Sequence, residues 1–193
     1  MLPFKISLPW RMYRDDGIGQ PDPEFLRRLA RDISSAESTD MNQILSAKDR
    51  NFIQLVQNQS LIPNDTLKLL RELRNRPLAI VTSSPRSAAT ALLEGSGVSH
   101  FFSAIVCFED VLTPKPDPEP YLIAMRSLGV MTGIAFEDSA SGRTSARAAG
   151  LHVVEVPGPR DLSAFVRSNI GSSLSIEQVS AFIQGRATVV RNA

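Results

Sequence analysis

Apolar residues along this chain change their spacing near residue 78. Before that point they recur every three or four positions. Phe25, Leu26, Leu29 and Ile33 form one set, Ile44, Leu45, Phe52, Leu55 and Val56 a second, and Leu67, Leu69, Leu70 and Leu73 a third. Each set falls on one side of a helix. Asp22-Pro23 supplies an N-cap with proline at the first helical position of the first helix, and Asn64 or Asp65 caps the third. From Leu78 onward, short continuous apolar runs take over: Leu78-Ala79-Ile80-Val81-Thr82, Ala104-Ile105-Val106-Cys107-Phe108, Ile134-Ala135-Phe136 and His152 to Val156. Runs of this kind predict strands buried on both faces. Helical stretches separate them, from Pro85 to Gly95 and Gly97, from Glu119 to Leu128 with Gly129 as its stop, and from Arg143 to Gly150. Strands alternating with helices predict an α/β fold, a parallel sheet with helices on both faces.

The chain accordingly divides into an all-helical unit at residues 10–62 and an α/β core at 63–193. Phe4-Lys5-Ile6-Ser7-Leu8 alternates apolar and polar positions between Pro3 and Pro9, so residues 1–9 add one short strand to the core. A last helix is expected around Ile176 to Gln184, followed by a polar tail.

Composition narrows the classes. Hydrophobic residues at 42% and charged residues at 21% are those of a soluble globular protein. A net charge of +1, with arginines scattered along the chain, argues against nucleic acid as a partner. No apolar run is long enough to span a bilayer, and prolines break the N-terminus too often for a secretory signal, so a cytoplasmic protein without membrane attachment is expected. The single cysteine, Cys107, suits a reducing compartment. Its neighbours Ile105, Val106 and Phe108 mark it as a buried strand residue rather than a nucleophile. His100 and His152 have no acid or cysteine at metal-ligand spacing and are read as structural.

Chemistry concentrates in three loops, each following a predicted strand. Thr82-Ser83-Ser84 brings hydroxyls to a helix N-terminus, where N–H groups and the helix dipole favour a phosphate; a capping serine is the plainer reading. Thr113-Pro114-Lys115-Pro116-Asp117-Pro118 holds its backbone extended and presents Lys115, a cation able to neutralise phosphate or pair with an acid. Glu137-Asp138 sets two carboxylates side by side where a strand ends and a helix begins. Adjacent carboxylates repel unless a cation or a proton is shared between them, and oxygen ligands of this kind suit Mg²⁺ in contact with a phosphate. Alternatively, Asp138 caps the helix and Glu137 is solvated.

At these residues the chain resembles the haloacid dehalogenase superfamily, in particular its phosphatases and phosphomutases with a small helical cap. Leu78 to Ser84 is similar to the family's second motif, with Ser83 (or Thr82, by one step of register) as the phosphate-binding hydroxyl. Lys115 within Pro114-Lys115-Pro116 resembles the third, and Glu137-Asp138-Ser139 with Gly142 the fourth, the Mg²⁺-binding acids. Lys115 to Leu122 is similar to sugar-phosphate phosphatases of the β-phosphoglucomutase branch. The resemblance runs from about residue 62 to 157 and extends to the helices before it as the cap. It implies a Rossmann-like core, a Mg²⁺-dependent phosphatase acting on a small phosphorylated metabolite such as a sugar phosphate, phosphate held by Thr82, Ser83, Ser84 and Lys115, Lys115 as the charge-balancing catalytic cation, and Mg²⁺ on Glu137 and Asp138.

The family's first motif, a central strand ending in Asp-x-Asp-Gly that carries the nucleophile, has no match here. Arg14-Asp15-Asp16-Gly17 comes nearest, with arginine in the nucleophile's place and a helical setting around it. No nucleophile is therefore assigned, and the chain is expected to start about one strand late and to be inactive as it stands. Loss of a nucleophile lowers turnover by on the order of 10⁴- to 10⁶-fold. The alternative is a catalytically dead relative that binds a phosphorylated ligand or a partner protein.

Overall fold

The computed structural model describes residues 41–58 and 62–156. The strand expected at Phe4–Leu8, the helix through Phe25–Ile33 and the helix around Ile176–Gln184 lie outside these residues. The order of elements is α1 (Met41–Asn58), α2 (Asn64–Glu72), β1 (Ala79–Val81), α3 (Arg86–Gly95), β2 (Ala104–Val106), α4 (Glu119–Leu128), β3 (Ile134–Glu137), α5 (Ala140–Ala148) and β4 (His152–Glu155). Single 3-10 turns occupy Ser99–Phe101 and Phe108–Asp110. Among the described residues, no helix is long and apolar enough to cross a membrane.

The α/β alternation appears as two parallel pairs. β1 lies beside β2 with Ile80 opposite Ile105, and β3 beside β4 with Ala135 opposite Val153. Hydrogen bonds from Ser103 N to Leu78 O (2.8 Å) and from Thr82 N to Val106 O (2.9 Å) show which side of β1 faces β2. Backbone groups alternate sides along a strand, so those of Ala79 and Val81 point away from β2. α4 packs against both β1 and β2 and also touches α5, which lies on β3 and β4.

Two apolar clusters hold these layers. Tyr121, Ala135, Ala146 and Ala149 are buried together, with Val81, Met125, Leu151 and Val153 packed around them. The alanines let α5 lie close to its strands, and Val81 reaches into this cluster from the other strand pair. Leu70, Leu93 and Val98 form the second cluster beneath Ile80, Ile105, Phe101 and Phe102.

Several expectations need correction. The strands are shorter than the apolar runs, and β1 is half-buried along its whole length rather than buried on both faces. Among the described strands it has a neighbour on one side only. Cys107 is buried as expected but sits one residue past β2. The Asp110 carboxylate accepts the Cys107 N–H (2.7 Å) and turns the chain into a 3-10 helix, which also takes Phe108 out of the strand. Burial pushes the Cys107 thiol above its usual pKa, which leaves it protonated and unreactive. Neither Asn64 nor Asp65 caps α2: both lie inside it, and Pro63 stands at the N-cap without a side-chain bond. Gly129 ends α4 as read, in the left-handed region at φ 65°.

α1 packs along α3. Val56 is fully buried, and a Cβ added to Gly95 would lie 2.7 Å from the Val56 carbonyl oxygen. That neighbour is backbone, which cannot rotate away. Gly95→Ala is therefore expected to lower stability by about 1–3 kcal/mol, read as a lower thermal midpoint. An unchanged midpoint would show that α1 does not rest on α3.

Candidate active site

The three chemistry-bearing loops meet at the carboxyl ends of β1 and β3. Lys115 joins them. Its ammonium donates to Val81 O at the end of β1 (3.0 Å) and to Glu137 Oε1 at the end of β3 (2.5 Å). Both side chains of this ion pair are only 7% exposed. An ammonium has three protons, and among the described residues the third meets no acceptor.

The loop that presents Lys115 is braced from both sides. Asp117 N donates to Pro114 O (3.1 Å), closing a turn around the cis Lys115–Pro116 peptide. Ser145 Oγ donates to Asp117 O (2.5 Å), tying the turn to α5. The Glu119 carboxylate accepts the N–H groups of Leu112 (3.1 Å) and Thr113 (2.7 Å), which together hold it below the usual carboxylate pKa range. Asp117 Oδ1 accepts the Glu119 N–H (2.9 Å) at the start of α4.

Glu137 is turned inward. Its Oε1 takes Lys115 and also the phenol O–H of Tyr121, while Oε2 accepts Ser139 Oγ (3.1 Å). Ser139 in turn accepts the Gly142 N–H (3.0 Å) and so caps α5, the role that sequence alone offered to Asp138. A Cβ at Gly142 would fall inside the Glu137 carboxylate; the glycine is the floor of that seat. Asp138 faces outward and is exposed. Arg143 Nη1 donates to the Asp138 carbonyl (2.9 Å) and pairs with Glu155 (3.2 Å), holding the acid loop over β4.

In the hydroxyl loop, Thr82 Oγ1 accepts the Ser84 N–H (3.1 Å). The first N–H of α3 is already taken: both oxygens of Glu109 accept Arg86 N (3.1 and 3.0 Å). Arg86 donates to Ile105 O (3.2 Å) and to Asp110. Asp110 is held below the usual carboxylate range by Arg86 and, next, by the Cys107 N–H. The anion-binding end of α3 thus holds a carboxylate of the chain itself. Ser83, half-buried between these bonds, has a hydroxyl with no partner among the described residues.

The predicted residues Thr82, Ser83, Ser84, Lys115, Glu137 and Asp138 are thus brought to one edge, linked through Val81 O and Lys115. Tyr121, Glu109, Glu119 and Arg143 were missed by sequence reasoning. Tyr121 carried a signal nonetheless: a phenol on the buried side of a helix needs a partner for its O–H. His100 stacks at a tilt on Phe101 (ring centroids 4.1 Å apart), and His152 is exposed on β4.

Ligands of parallel α/β sheets bind at this carboxyl edge. Residues 4–156 match the haloacid dehalogenase-like hydrolases, and the chain belongs to that family. Fructose-1-phosphate phosphatase YqaB of Escherichia coli is 30% identical over 135 residues, covering 67% of this chain and 71% of that protein. The phosphorylated carbohydrates phosphatase of Thermotoga maritima is 29% identical over 138 residues, covering 69% and 63%. Among solved structures, CbbY from Rhodobacter sphaeroides in complex with phosphate superposes with a TM-score of 0.72 at 24% identity, covering 80% of this chain and 72% of that one. The matched family is one of hydrolases and both of these relatives are phosphatases, while the likeness to CbbY is one of fold.

Whether the acid pair suits a divalent cation depends on which oxygens are open. Asp138 fits, as an exposed carboxylate beside a lysine-bearing edge, and Mg²⁺ commonly uses one or two carboxylates while keeping several waters. Glu137 has three donors on its two oxygens and is buried, so it fits less well as a direct ligand. Among the described residues, no three metal-ligating side chains converge.

Proposed function

We propose that this chain binds a small phosphorylated metabolite such as a sugar phosphate, at the edge formed by Thr82, Ser83, Ser84 and Lys115, as a Mg²⁺-dependent phosphatase of its family does. The observation that carries this reading is the Lys115 ammonium, buried and bonded on two sides, one of them the strand end from which the hydroxyl loop leaves, with its third proton unbonded among the described residues. Lys115 balances phosphate charge, and Ser83 offers its hydroxyl to a phosphate oxygen. Because Glu109 occupies the end of α3, the phosphate is held by Lys115 and the loop hydroxyls more than by the helix dipole. Asp138 is the residue that would hold Mg²⁺, which supplies charge neutralisation at the phosphate, and Glu137 acts through Lys115 or a bridging water. The names of the Escherichia coli and Thermotoga maritima relatives support a carbohydrate phosphate as substrate.

No Asp-x-Asp-Gly occurs in the 193 residues. That observation favours a second reading, in which this chain binds the phosphorylated ligand without turning it over. Two measurements separate the readings. Inorganic phosphate is expected to bind in a calorimetric titration, and Ser83→Ala to weaken it by about fivefold, the worth of one hydrogen bond. Binding indifferent to Ser83 would remove the proposed site. With Mg²⁺ and an aryl phosphate, no turnover is expected from this chain, and turnover is expected when an Asp-x-Asp-Gly strand is supplied ahead of it. Turnover by the chain itself, lost on substitution of Asp15 or Asp16, would place the nucleophile there.

A further inference from the structure

We infer that Tyr121 is a positioning residue for Lys115, and the inference rests on the reading of Lys115 as the phosphate-facing cation. Tyr121 is buried in the apolar cluster with Ala135, Ala146 and Ala149, and packing alone would account for its ring. Its hydroxyl is another matter. The O–H donates to Glu137 Oε1, the same oxygen that receives the Lys115 ammonium. A carboxylate only accepts, so the phenol is the donor of this pair and donation runs one way, from Tyr121 to Glu137. The ring face also lies 5.0 Å from Lys115 Nζ, within cation–π range.

These contacts act on one group from three directions. A carboxylate oxygen has two lone-pair sites. With Tyr121 on one and Lys115 on the other, Oε1 is saturated, while Ser139 Oγ, itself fixed by the Gly142 N–H, donates to Oε2. Glu137 therefore cannot rotate to take a second lysine proton. Val81 O holds another proton from the strand side, and the Tyr121 ring closes a further approach. The remaining N–H has one direction left, and Tyr121 sets it.

The test uses the full chain labelled with ¹⁵N-lysine, in which the Lys115 ammonium resonance is identified by its loss in Lys115→Arg. In the native chain this signal is expected to persist when those of exposed lysines have exchanged with water. Tyr121→Phe keeps the ring and the packing and removes only the O–H. It is expected to speed exchange of the Lys115 ammonium by about tenfold, the equivalent of one hydrogen bond to a charged group. Val98→Ala, in the other apolar cluster, serves as the control for general loosening. An unchanged Lys115 signal in Tyr121→Phe, or equal acceleration in Val98→Ala, would overturn the inference. Inorganic phosphate should also bind Tyr121→Phe at least about threefold more weakly. Should the native chain bind no phosphate, the proposed function fails, while the ammonium measurement still decides the part played by Tyr121.

Discussion

Lys115→Met is expected to lower the unfolding free energy by about 3–5 kcal/mol, the usual effect of removing one partner from a buried ion pair. Methionine keeps the length of the side chain, so little volume is lost. What remains is a Glu137 carboxylate that is 7% exposed and has lost its counter-charge. The Tyr121 and Ser139 hydroxyls still donate to it, but neither carries charge. Against a total stability of about 5–15 kcal/mol for a domain, the loss is large. Urea denaturation monitored by circular dichroism measures it. The double variant Lys115→Met with Glu137→Leu should recover much of the loss, because buried ion pairs are often replaceable by apolar side chains of similar size. A single-variant loss below about 1 kcal/mol, typical of an exposed pair, would mean that the two groups are not buried together. Phosphate binding should vanish in both variants, separating the structural from the binding contribution.

Gly142→Ala is expected to destabilise by about 1–3 kcal/mol through overpacking. The sign is informative, because alanine in place of glycine within an exposed helix ordinarily stabilises by about 1 kcal/mol. Here the added methyl would fall inside the Glu137 carboxylate. A flexible side-chain end could move aside cheaply, but this one is fixed by Lys115, Tyr121 and Ser139, whose bonds would have to break for it to move. Displacing it would also release Lys115, so phosphate affinity should fall along with stability. Thermal denaturation and phosphate titration of the same variant give both readouts. A stabilised Gly142→Ala chain would show that Glu137 does not lie over the first turn of α5.

Much of this arrangement was legible beforehand. The strands came from short apolar runs, and α4 was bounded by Glu119 and Gly129 as read, because period and left-handed stops are local properties. The loop positions of Thr82, Lys115 and Glu137-Asp138 followed from the same local alternation. The capping of α5 did not. Asp138 and Ser139 are both good capping residues, and only the inward turn of Glu137 makes Ser139 the one that caps. The reading of the α3 N-terminus as an open phosphate cradle failed to foresee Glu109, twenty-three residues away in sequence from Arg86. The buried character expected of β1 depended on neighbours that a run of apolar residues does not specify.

By itself, the sequence determined where the helices and strands fall and in which loops between them the hydroxyls, the lysine and the paired acids stand, since helix and strand periods and the proline-bounded lysine loop are written in consecutive residues. Only the tertiary structure decided what the two acids do. Glu137 and Asp138 are adjacent, and side chains of successive residues leave an extended backbone on opposite sides. One of them therefore meets Lys115, Tyr121 and the floor made by Gly142, while the other faces outward and is exposed.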